Sequence, residues 1–129
     1  KVVKGAVEIK KGLRDKLELG NMDSSRDWGH SYDYVRAMHL LLNYSEARDW
    51  IVATGETRTV RELCDYVFTS LGMNYKDYVV QNEKYMRPEE LKYLRGDSGD
   101  ISDKLGWKPK YNFESMIDEM IQVWEDRLS

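Results

Sequence analysis

A chain of 129 residues with 41% apolar and 33% charged side chains is long enough to bury a core as one domain without disulfide or metal staples. Its net charge of -3 argues against a general nucleic-acid-binding surface, and no apolar run approaches a membrane span or a secretory signal. The single cysteine, Cys64, excludes an internal disulfide and fits a reducing, cytoplasmic location, while a start on Lys1 rather than methionine reads as a piece of a longer polypeptide.

In chain order, Val2, Val3, Ala6, Val7 and Ile9 fall at helical spacing among lysines, and Gly12 is placed to end that helix. Leu17-Glu18-Leu19 alternates as a brief strand running into a turn at Gly20-Asn21. The next stretch, Arg26-Asp27-Trp28-Gly29-His30, gathers four functional groups around a glycine. It stands at the entrance of a helix from Tyr32 to Asn43, on which Val35, Met38, Leu41 and Leu42 predict one buried stripe. Trp50 to Ala53 is an apolar, β-branched run before Thr54-Gly55 and predicts a buried strand.

Thr59 and Glu62 make a capping-box pattern. The helix it opens has a stripe of Val60, Leu63, Cys64, Val67, Phe68 and Leu71, and Gly72 stops it. Tyr78 to Val80 is strand-like, and Pro88 holds Arg87 extended and presented outward, because proline disfavours a helical residue before it. A short turn of helix is expected over Glu89 to Leu94, another helix over Ser98 to Leu105, then a loop at Gly106 to Pro109. The last helix is the clearest, with Phe113, Met116, Ile117, Met120, Ile121, Trp124 and Leu128 on one stripe behind an Asn112 N-cap. The sum is a helix-rich, mixed α/β class with few short strands, few enough to suggest part of a larger unit.

The missing chemistry is as informative. None of the nine glycines makes a G-x-G-x-x-G or P-loop spacing, so no dinucleotide loop is visible. No tyrosine has a lysine four residues later, and His30, His39 and Cys64 lack metal-ligand spacing. What remains is Arg26 and Arg87, whose planar forks suit a diphosphate. From the sequence alone, salt bridges to Asp27 or Glu90 are the simpler account of both. His30 reads as a helix-entrance residue bonded to backbone, Trp28 and Trp107 as core anchors, and Cys64 as core.

Leu19-Gly20-Asn21-Met22-Asp23-Ser24-Ser25-Arg26-Asp27-Trp28-Gly29-His30 with Asp33-Tyr34-Val35 closely resembles the signature of the GDP-mannose 4,6-dehydratases, which are extended short-chain dehydrogenases/reductases. The order continues in Ala53-Thr54-Gly55-Glu56, Val60-Arg61-Glu62, Arg87-Pro88-Glu89-Glu90, Arg95-Gly96-Asp97 and Leu105-Gly106-Trp107-Lys108-Pro109. The resemblance covers nearly the whole chain but only the C-terminal, substrate-binding portion of the family, without its N-terminal Rossmann half.

It implies an NADP-dependent lyase that converts GDP-mannose to GDP-4-keto-6-deoxymannose, a step toward GDP-fucose, with the NADP site and catalytic residues outside this chain. The chain alone would then be inactive, and the complete enzyme a homo-oligomer. It further implies that Arg26 and Arg87 hold the diphosphate and that Glu90 accepts the ribose hydroxyls. Leu19 and Asn21 would pass the base, Lys1 would lie near the substrate, and residues 31 to 55 would pack with the cofactor domain. Two departures are a shorter segment from Gly72 to Tyr85 and Ser24-Ser25 before the arginine. Competing readings are another nucleotide-sugar dehydratase, epimerase or reductase of the superfamily, or a non-catalytic interaction module.

Overall fold

The computed structural model describes residues 1–88 and 91–129. Three helices build most of the core: α1 (Val2–Lys10), α3 (Val60–Ser70) and α5 (Phe113–Arg127). Their apolar stripes converge, so that Val7, Phe68, Val67, Cys64, Met116 and Ile117 are buried together. Each fully buried side chain of this size contributes about 1.5 to 3 kcal/mol. Cys64 is core as expected, and burial pushes its thiol up to about 12.

The predicted boundaries of these helices hold for local reasons. Gly12 and Gly72 both take the positive φ with which a chain turns out of a helix (+74° and +76°). Thr59 Oγ1 accepts from Glu62 N at 3.0 Å, while the Glu62 carboxylate lies 4.0 Å from Arg58 Nε. Asn112 and Ser115 close a full capping box at the head of α5.

The strands are short, and they place loops more than they build a layer. β1 (Leu17–Leu19) pairs in parallel with β4 (Val79–Gln81), Leu17 opposite Val79 and Leu19 opposite Gln81. β2 (Ser25–Arg26) pairs antiparallel with β3 (Arg58–Thr59), putting Arg26 opposite Arg58. Two-stranded pieces are marginal alone. Here Leu17 and Leu19 anchor theirs in the helical core.

Three expectations are corrected. α2 (Ser31–Leu42) forms, but its predicted buried stripe faces outward: Val35 is 61%, Met38 56% and Leu42 79% exposed. Its buried residues are Asp33 and Ala37. Trp50 to Ala53 makes no strand, and Ile51 is 60% exposed, since the apolar run finds no neighbouring strand to pair with among the described residues. Residues 91–94 are not helical either. Tyr93 bridges to Ser25, with Ser25 N donating to Lys92 O and Leu94 N to Ser25 O. A long-range partner there outcompetes a local turn. The helix expected over Ser98 to Leu105 appears as α4 (Gly99–Leu105).

α2 and α4 meet over a second, smaller core of Ala37, Ile101 and Trp107. Trp107 Nε1 donates to the Asp33 carbonyl at 2.9 Å. The Asp33 carboxylate in turn accepts from Lys110 N (2.9 Å), Tyr111 N (3.1 Å) and Arg36 Nη2 (3.0 Å). Burial alone would push this carboxyl up, but the two backbone N–H groups and the guanidinium outweigh it and hold it below its ordinary range.

Candidate functional site

The sequence-predicted residues that the structure describes lie along one edge of the molecule, where three stretches of chain meet. Residues 19–21 leave β1, residues 25–26 form β2, residues 82–86 run against the first and residues 91–94 against the second. Asn82 N donates to Leu19 O at 2.8 Å, tying the first segment to the third. Gly20 fixes the approach: a Cβ there would stand 2.4 Å from the Tyr85 carbonyl oxygen, so only glycine fits. Asn21 turns its side chain back to accept from Asp23 N at 2.9 Å, and Leu19 is buried with the helical core. The side chains of both thus serve the turn and the core.

Arg26 is half-buried on β2, and its Nη1 donates to Ser25 O at 2.8 Å and to Leu91 O at 2.7 Å. The second bond ties the guanidinium to the segment that carries Arg87 four residues upstream. Four residues span at most about 14 Å of extended chain, which bounds how far the Arg87 backbone can lie from that of Leu91. Arg87 is exposed after an extended Met86 (φ -79°, ψ 139°). Lys1 Nζ stands 4.0 Å over the Tyr85 ring, which brings the start of the chain to the same edge. Glu90 lies outside the described residues.

The neighbouring motif residues have structural work. Asp27 turns its carboxylate to the 54–55 turn, accepting from Thr54 N (3.1 Å), Thr54 Oγ1 (2.5 Å) and Gly55 N (2.9 Å). Arg95 Nε holds the same turn from the far side through Gly55 O at 3.0 Å. His30 is the N-cap of α2, with Nδ1 accepting from Tyr32 N at 3.0 Å, which leaves Nε2 to donate to Glu119 Oε2 at 2.8 Å. Its ring stacks on Tyr111 at 3.9 Å. Trp28 packs against the helical core.

Sequence reasoning missed Asp33 and Gly20 as individual positions. An acidic residue in the first turn of a helix looks like a solvated dipole partner, and the close approach at Gly20 depends on a segment sixty residues away. The signal available was their place inside the motif. A cavity of about 210 Å³, lined by Trp28, Thr54, Arg58, Lys110, Tyr111 and Phe113 among others, lies beside the motif, and none of the five predicted residues that the structure describes lines it. Among the described residues no group of three or more His, Cys, Asp or Glu is placed to hold a metal ion, and no helix is long and apolar enough to cross a membrane.

The fold is shared with solved enzymes of the extended short-chain dehydrogenase/reductase type. RMD from Pseudomonas aeruginosa, solved with NADPH, matches at a TM-score of 0.86 and 28% identity over 98% of this chain and 41% of its own. UDP-glucose 4-epimerase from Thermotoga maritima, solved with UDP-glucose, matches in fold at 0.83 and 22% identity, over 99% of this chain and 40% of its own. The fold class is therefore that of a part of an extended short-chain dehydrogenase/reductase.

A family model for GDP-mannose 4,6 dehydratase matches residues 1–120, and the chain belongs to that family. GDP-mannose 4,6 dehydratase 1 of Arabidopsis thaliana is 44% identical over 94% of this chain and 34% of its own length. The Cricetulus griseus enzyme is 35% identical over 95% of this chain and 38% of its own. The chain thus spans little more than a third of these curated relatives. A nicotinamide cofactor belongs to the family; among the described residues the glycines with positive φ (Gly12, Gly55, Gly72, Gly106) each turn the chain and none opens a phosphate-cradling helix.

Proposed function

We propose that this chain is the nucleotide-sugar-binding portion of a GDP-mannose 4,6-dehydratase. The observation that carries the reading is the meeting of residues 19–21 with 82–86 and of Arg26 with Leu91 O, on the chain that carries Arg87 four residues upstream. Arg26 and Arg87 grip the diphosphate through charge-assisted bonds. Glu90 accepts the ribose hydroxyls, the backbone of Leu19 and Asn21 runs past the base, and Lys1 stands near the sugar.

The complete enzyme oxidises GDP-mannose at C4, eliminates water across C5 and C6, and returns the hydride to C6. NADP is the cofactor, held by residues outside this chain, which is inactive alone. Residues 31 to 55 pack with that cofactor domain, a reading supported by the exposed apolar face of α2 and by Ile51. The enzyme is a cytoplasmic homo-oligomer. Side-by-side competition of GDP, UDP and dTDP on the complete gene product tests the substrate: GDP is expected to bind most tightly, and a preference for UDP or dTDP would move the assignment to another sugar-nucleotide enzyme of the superfamily.

A further inference from the structure

We propose that Asp27 is a positioning residue for Arg26: its carboxylate bolts the strand that carries the arginine to the 54–55 turn, an inference that rests on the nucleotide-sugar reading above. All the bonds of this carboxylate among the described residues go to that turn. Oδ1 accepts from Thr54 N (3.1 Å) and Thr54 Oγ1 (2.5 Å), and Oδ2 accepts from Gly55 N (2.9 Å). The adjacent Arg26 guanidinium bonds instead to Ser25 O and Leu91 O.

The strand needs such a hold. β2 is two residues long and sets Arg26 directly opposite Arg58, a like-charge pair that weakens an already marginal ribbon. Glu56 and Glu114, each 3.7 Å from Arg58, draw that side chain to themselves and add nothing to Arg26. Upstream of Arg26 the chain is held through its backbone, with Val60 N donating to Ser24 O at 3.1 Å. Immediately downstream it is held through the Asp27 carboxylate.

The far side of the bolt is fixed to the segment that Arg26 bonds. Arg95 Nε donates to Gly55 O at 3.0 Å, and a Cβ on Gly96 would collide with the Ala53 Cβ, so the 53–55 and 95–96 backbones lie against each other. One residue before Arg95, Leu94 N donates to Ser25 O at 3.2 Å. Asp27 therefore closes a ring that runs from residues 25–27 to the 54–55 turn, on to Arg95, and back along 91–94 to Ser25 and Arg26. An arginine whose backbone is set in this way loses less freedom when its planar fork meets a phosphate.

The test is a double-mutant cycle read by calorimetric titration of GDP into the complete gene product, with Asp27→Asn, Arg26→Ala and the two combined. Asparagine keeps the shape and the Oδ1 acceptor, but its amide would face Gly55 N–H, donor against donor. Asp27→Asn alone is expected to raise Kd about fivefold to thirtyfold, and to change it by less than about twofold where Arg26 is already alanine. Thr54→Val removes one of the three donors and should also raise Kd, whereas Thr54→Ser should keep it; this pair carries the test if Asp27→Asn does not fold. GDP affinity unchanged in Asp27→Asn, equal losses with and without Arg26, or equal affinities in Thr54→Val and Thr54→Ser would each overturn the positioning role and leave the diphosphate reading standing. Arg26→Ala without effect on GDP would overturn the part of that reading that rests on Arg26, and this inference with it.

Discussion

The helical core of α1, α3 and α5 and the flank around α2 are built by opposite rules. In the first, the predicted stripes find partners inside the chain, except that Met120 of the α5 stripe is 41% exposed, and Phe68, Val67 and Cys64 are fully buried. In the second, a helix of similar length turns Val35, Met38 and Leu42 to the outside and is held instead by polar bonds from the buried Asp33. The difference teaches that helical spacing reports that a face is apolar, and not which molecule or segment covers it.

Chemical denaturation can break or sharpen this contrast, and the expected costs descend in order. Phe68→Ala should cost about 3 to 5 kcal/mol, the usual loss for a buried phenylalanine. Asp33→Asn should cost about 1.5 to 3 kcal/mol, because hydrogen bonds to a charged group are being weakened. Asn112→Ala should cost about 1 kcal/mol through the lost cap of α5. Met38→Ala should stay within about 0.5 kcal/mol of zero in this chain. A cost at Met38 equal to that at Phe68 would mean the α2 face is covered, and the contrast would fail.

Asp33 also gives the contrast a pH dependence. Its carboxyl is held below the ordinary value in the fold, so the folded state binds fewer protons there than the unfolded chain does. Its stabilisation is fully present above the unfolded pKa, near 3.9, and is lost as pH falls through the lower folded value. The acid limb of stability against pH should flatten in Asp33→Asn. An unchanged limb would show that other carboxylates carry it.

Much of the architecture was legible because it is local. Gly12, Gly72, Thr59 and Asn112 mark helix ends through bonds within a few residues, and His30 read correctly as a helix-entrance residue for the same reason. The errors are all non-local. Trp50 to Ala53 has the composition of a buried strand but no neighbour to pair with, and the 91–94 segment answers to Ser25, more than sixty residues away. The candidate site was legible as a motif and illegible as geometry. Nothing near Arg87 in the sequence foretells that Arg26 bonds the carbonyl of Leu91, or that Tyr85 rests on Gly20.

The central claim is that Arg26 and Arg87 form one diphosphate clamp, and calorimetric titration of GDP into the complete gene product and its Arg26→Ala and Arg87→Ala variants tests it most directly. With bonds to charged groups worth about 1.5 to 3 kcal/mol, each substitution should raise Kd by roughly tenfold to a hundredfold. GDP affinity that survives unchanged in both variants would contradict the clamp.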